Sequence, residues 1–175
     1  QTELAAEPAD TDEFMVSDGG VLKRVDYSLI KAANTPAFSA EISSSQVISD
    51  STRTTILFDN EYYDSASAYD TSTGRFTPQT AGKYFVTSNV RLDGDANSNY
   101  HTGFIELYKN ASIISEAVQD DSDNYGRVRS LSVGAIADMN GSSDYLLVQA
   151  YIKHDSVENP QINSASTFQA FKIIE

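Results

Sequence analysis

The chain has 175 residues, with 25 acidic against 12 basic side chains and a net charge of −13. That balance cannot build a face that tracks phosphates or anionic lipid, so nucleic acid and membrane surfaces are poor partners. Cysteine is absent, which excludes disulfides, thiolate metal sites and a cysteine nucleophile together. Hydrophobic residues at 40% suffice for the core of one domain, and no apolar run approaches the ~20 residues of a membrane-spanning helix.

The chain opens on Gln1, with neither a Met nor a basic-then-apolar leader, so upstream residues are expected to have been removed or left out of the numbering. Gln1 to Glu13 carries five acids and no base, the composition of an extended arm. Two short apolar segments, Phe14–Val16 and Val21–Val25, flank Asp18-Gly19-Gly20. Glycine supplies the positive φ of a tight turn, so this stretch is expected to form a β-hairpin. Tyr27 to Ala33 has room for one or two helical turns before Asn34-Thr35-Pro36 marks a boundary. A lone hairpin is not stable in water, so residues 1–35 are expected to dock, either on their own domain, on neighbouring copies or on another protein.

From Pro36 onward the pattern is β. Strands are expected at 37–43, 52–58, 83–92, 103–109, 112–118, 127–138, 145–152 and 166–174, where apolar and polar residues alternate or β-branched and aromatic residues cluster. Turn signals separate them: Thr73-Gly74, Ala81-Gly82, Asp93-Gly94, Lys109-Asn110, Asn140-Gly141 and Asn159-Pro160. Short strands at this spacing, with no sustained helical period, mean an antiparallel sandwich or barrel.

Several segments resemble a known family in order along the chain. They are Pro36-Ala37-Phe38-Ser39-Ala40, Ile56-Leu57-Phe58-Asp59, Tyr69-Asp70, Thr73-Gly74-Arg75-Phe76-Thr77-Pro78, Ala81-Gly82-Lys83-Tyr84-Phe85-Val86, Leu107-Tyr108-Lys109-Asn110 and the closing Thr167-Phe168-Gln169-Ala170-Phe171. Together they resemble the complement C1q-type globular head, whose jelly roll is shared with the tumour-necrosis-factor ligands. The sequence departs from that family at Ala170, where a glycine is usual. It also has no collagen-like Gly-x-y stretch among its residues. The resemblance implies an all-β antiparallel jelly-roll sandwich over 36–175 behind an arm of residues 1–35. It further implies a homotrimer in which the sheet of the first and last strands faces the axis. Phe38, Phe168 and Phe171 lie on those strands and are candidates for the core or the trimer interface.

Residues 11–27 resemble short connectors in tail and fibre proteins of bacterial viruses. That likeness implies a virion location: a trimeric fibre or appendage head that attaches to a host-surface glycan or protein, and binds other virion proteins through residues 1–35. Two alternatives stay open. One is a capsid- or tail-attached protein without a receptor; the other is a secreted carbohydrate- or protein-binding or filament-forming module.

Catalytic signatures are missing. His101 and His154 are the only imidazoles, and no Gly-x-Ser-x-Gly elbow or phosphate-binding glycine loop occurs, so no enzyme and no catalytic residue is expected. No cofactor is expected beyond calcium, for which Asp93, Asp95 and Asn97 set oxygen ligands at alternate positions. An ordinary polar turn fits the same residues. Receptor contact is expected on the same loop and on Ser122–Tyr125. Tyr100 and Tyr125 offer amphipathic rings there, beside Asp95 and Asn97. An exposed Tyr100 predicts that replacing it by Ser leaves the melting temperature unchanged.

Overall fold

The fold is taken from a computed structural model, described over residues 6–30, 34–94, 100–120, 126–154 and 159–173. Contacts divide the chain into two compact units, residues 1–33 and 34–173. The first is the hairpin of β1 (Glu13–Asp18) and β2 (Val21–Asp26). It is closed by Gly19 and Gly20 at φ 60° and 84°, a turn whose twist matches that of its strands. A single 3-10 turn, Tyr27–Leu29, follows, and the Tyr27 ring lies 5.9 Å from that of Phe14. None of residues 6–30 is buried.

The second unit is a sandwich of two antiparallel sheets. Its strands are β3 (Ala37–Glu41), β4 (Gln46–Val47), β5 (Thr54–Thr55), β6 (Asn60–Asp64), β7 (Tyr69–Asp70), β8 (Arg75–Phe76) and β9 (Gly82–Asp93). They continue with β10 (Tyr100–Lys109), β11 (Ser112–Asp120), β12 (Val128–Met139), β13 (Leu146–His154), β14 (Gln161–Ile162) and β15 (Thr167–Lys172). One sheet runs β11-β10-β13-β8-β7, with β5 also on β13. The other runs β4-β14-β9-β15-β3-β6, with β12 on the far side of β9. First strand β3 and last strand β15 are therefore neighbours in one sheet, and the fold is the antiparallel jelly roll that the family resemblance implied.

The core lies where the two inner faces meet. Phe38 stacks on Tyr69 and Phe76, with ring centroids 4.8 and 4.4 Å apart, and meets Phe168 edge-on at 5.0 Å. Phe38 and Phe168 are fully buried and belong to this core. Burial of such rings supplies much of the stabilisation, at ~25 cal/mol per Å² of apolar area. At Gly74, φ is +69° and an added Cβ would sit 2.6 Å from the Ile56 carbonyl oxygen, so the tight turn ahead of Phe76 excludes side chains.

Two segments differ from expectation. Of 52–58 only Thr54 and Thr55 pair as a strand. Ile56 and Phe58 instead sink into the core, their amides bonding to the Val148 carbonyl and the Tyr69 hydroxyl. β6 carried no apolar signal because it is an edge strand with four of its five residues exposed.

Candidate functional site

Strand alternation divides each residue of the β9 sheet between core and surface, and the surface side forms ordered rows. Ile136, Phe85, Phe171 and Ala37 lie side by side on β12, β9, β15 and β3. The next row is Gly134, Thr87, Gln169, Ser39 and Tyr63, followed by Ser132, Asn89, Thr167, Glu41 and Asn60. The first two rows contain no charge, in a chain of net charge −13. Phe85 and Phe171 hold their rings 5.6 Å apart and are 39% and 38% exposed, while Ile136 is 63% exposed. With Tyr63, Thr87 and Gln169 the two phenylalanines line a concavity of about 200 Å³. Of the three phenylalanines marked by the sequence, Phe171 is the one on this surface.

A second arrangement closes one end of the sandwich. The Gly94 amide donates to the Arg127 carbonyl at 2.8 Å, and the Tyr100 amide to that of Gly126 at 3.0 Å. Asp93 receives a hydrogen bond from the Asn163 side chain at 2.9 Å and has the Arg127 guanidinium 3.9 Å away. Gly94, Tyr100, Gly126 and Arg127 thus form one stitched base. Ala37 shares a row with Phe85, eight residues before Asp93 along β9. The chain therefore enters the sandwich roughly 26 Å from that base, at ~3.3 Å per residue.

Tyr100 itself corrects the expectation of an exposed ring: it is fully buried and its hydroxyl donates to the Gln119 side chain at 3.1 Å. A bulge between Tyr100 and Thr102 shifts the alternation by one residue and turns Tyr100 inward. There its ring packs over the bare Cα of Gly103. Asp95, Asn97 and Tyr125 lie outside the described residues, so Tyr100 is the described receptor candidate and Asp93 the described calcium candidate. Asp93 is engaged by Asn163 and Arg127. Among the described residues no group of three His, Asp or Glu is placed to hold a metal. His101 and His154 sit on different strands, β10 and β13.

A third cluster, on the outward face of the other sheet, has no local sequence signature. Glu106 is fully buried and accepts from Arg53 Nε at 2.9 Å, Arg53 Nη2 at 3.1 Å and the Tyr108 hydroxyl at 2.9 Å. Arg53 also lies 4.9 Å over the Phe104 ring, which stacks on Tyr151 at 4.5 Å. With its charge matched and its oxygens occupied, the cluster ties the β5 segment across β13 to β10. Long-range pairing between residues 53 and 106 leaves no local pattern to read.

The C1q domain profile matches residues 37–172, the whole sandwich. The chain belongs to the C1q domain family. Among solved structures this C1q head is similar to the globular domain of the zebrafish complement 1qA protein, at a TM-score of 0.57 and 15% identity. That match covers 81% of this chain and 99% of the other. It is also similar to murine APRIL, at a TM-score of 0.55 and 9% identity, covering 78% of this chain and 98% of that one. At such identities the likeness is one of fold. A search of curated protein sequences finds no match. C1q and tumour-necrosis-factor-like domains are binding and structural heads, typically homotrimeric and extracellular. No helix among the described residues of this head is long and apolar enough to cross a membrane.

Proposed function

We propose that the protein is a non-enzymatic, homotrimeric C1q head whose axis is lined by the uncharged rows of the β9 sheet. The observation that carries this is the row Ile136, Phe85, Phe171 and Ala37. Copies that each carry −13 repel one another, and association favours the face with no charge and the most exposed aromatic area. Light scattering at micromolar concentration tests it. The expected mass is three chains, and Phe171→Glu, which sets a carboxylate into the row, should leave single folded chains. A monomer from the unmodified protein overturns the reading.

The role that fits such a head is that of a virion fibre or appendage tip contacting a host surface. Support comes from the likeness of residues 11–27 to connectors of bacterial-virus fibres. It comes also from the loop base, which stands at the opposite end of β9 from the chain entry. Loops on a rigid frame are where recognition is usually carried. An antibody raised against the head should decorate projections on particles from the producing culture. Particles that stay unlabelled would instead favour a secreted binding module.

A further inference from the structure

We infer that the trimer closes as a ring of knobs in hollows, with Ile136 of each copy seated in the next copy's concavity beside Phe85, Phe171 and Tyr63. The inference rests on the trimer proposed above and names what its uncharged rows meet. Copies around a three-fold axis cannot meet through one self-complementary patch, because such a patch makes two-fold pairs. Each copy must present two different patches, one of which receives the other from its neighbour. The β9 sheet carries one of each kind. Ile136 stands 63% exposed on β12, which among the described strands pairs with β9 alone. Tyr63 lies on β6 at the opposite edge of the sheet, four strand spacings away, or ~19 Å. Tyr63 and the two phenylalanines line the concavity of about 200 Å³. A cavity of ~150 Å³ holds a benzene ring, so this one has room for the smaller side chain of an isoleucine.

Gly134 marks where the neighbour comes close. It sits in the middle of β12, two residues before Ile136 and exposed on the same side. Glycine weakens a strand interior, and the chain's own fold gives no reason for one here. The β12–β9 register runs unbroken from Val128 to Met139, so no bulge requires it. Its backbone lies outside the left-handed region that favours glycine. An added Cβ would come no nearer than 3.4 Å to the Val86 carbonyl oxygen and 3.8 Å to the Thr87 side chain. Those are ordinary contacts, and alanine or valine would fit them. What a strand glycine serves in that case is a close approach from outside. The rows beside it carry no charge, which suits a second copy of a chain at −13 better than any strongly charged partner.

The chain has no cysteine, so introduced thiols report the contact without background. The Ile136→Cys, Tyr63→Cys double variant of the full chain, mildly oxidised, should run as a covalent trimer under denaturing conditions. A disulfide needs Cα atoms ~4–7 Å apart, so the two thiols of one chain cannot close on each other. Each single variant should stay uncross-linked. Gly134→Val should keep the circular dichroism of the parent while weakening the trimer about tenfold or more. Should the cysteines themselves release single chains, mixing Ile136→Asp with Phe171→Glu decides. One intact contact then remains, and heterodimers should form where neither variant associates alone. A scattering-confirmed trimer overturns this inference alone if the double variant stays uncross-linked, if Gly134→Val associates as the parent does, or if the mixture yields no heterodimer. Covalent dimers from Ile136→Cys by itself also overturn it, since they bring like residues together. A parent protein that is monomeric by scattering overturns the trimer and the inference together.

Discussion

Glu106 sits fully buried on the outward face of its sheet, where a carboxylate is tolerated because the Arg53 fork and the Tyr108 hydroxyl occupy its oxygens. Removing one partner strands a buried charge, whereas replacing both by apolar side chains strands no charge. Arg53→Leu should therefore lower the denaturant midpoint more than the Arg53→Leu, Glu106→Leu double variant, read as a double-mutant cycle. Asp59 gives a pH-dependent counterpart. Its carboxylate takes hydrogen bonds from the Ser43 hydroxyl at 2.5 Å and the Ser43 amide at 2.8 Å, which hold its pKa below the ordinary carboxylate value. A depressed folded pKa adds stability that is present above the unfolded value of ~4 and fades as pH falls through the folded one. Asp59→Asn should cost stability at neutral pH, and the gap to the parent should close in acid melts below that range.

At the scale of single elements, β10 decides the fate of Tyr100. Its bulge puts Tyr100 and Gly103 on the same inward side, and a Cβ on Gly103 would come within 2.8 Å of the Tyr100 ring and of Leu92. Tyr100→Ser should cost about 3–5 kcal/mol, as buried aromatic truncations do. Gly103→Ala should cost about 1–3 kcal/mol by overpacking, both read from chemical denaturation. The first figure replaces the unchanged melting temperature expected of an exposed ring. Long alternating strands such as β9, β12 and β13 were legible in the sequence because each has one buried face, and so were the glycine turns at Gly19-Gly20 and Gly74. What escaped reading depends on something outside the segment: the bulge that flips Tyr100, the polar edge strand β6, and the irregular descent of Ile56 and Phe58. Arg53 and Glu106, 53 residues apart, escaped for the same reason.

For the molecule as a whole, the two compact units divide its physics. The sandwich carries the buried aromatic cluster of Phe38, Tyr69, Phe76 and Phe168, while the described part of the hairpin unit buries nothing. A protein beginning at Asn34 should keep the thermal midpoint of the full chain within about a few degrees. A large drop in calorimetry would mean that residues 1–33 complete the core. The family and its jelly roll were readable from scattered landmarks between Pro36 and Phe171. The sheet and Phe171 were marked by that likeness, but the row was not, since Ile136, Phe85, Phe171 and Ala37 become neighbours only after three strand pairings are fixed.

The stitched base at Gly94, Tyr100, Gly126 and Arg127 has a consequence for insertions. Two backbone hydrogen bonds at or just beyond the strand ends, Gly94 to Arg127 and Tyr100 to Gly126, close the frame, so it does not depend on side chains. Lengthening a loop whose ends are already fixed adds little free energy, about 0.6 kcal/mol for each doubling. Insertions between Gly94 and Tyr100 should thus leave the thermal midpoint of the sandwich nearly unchanged in calorimetry, since the frame is closed without them.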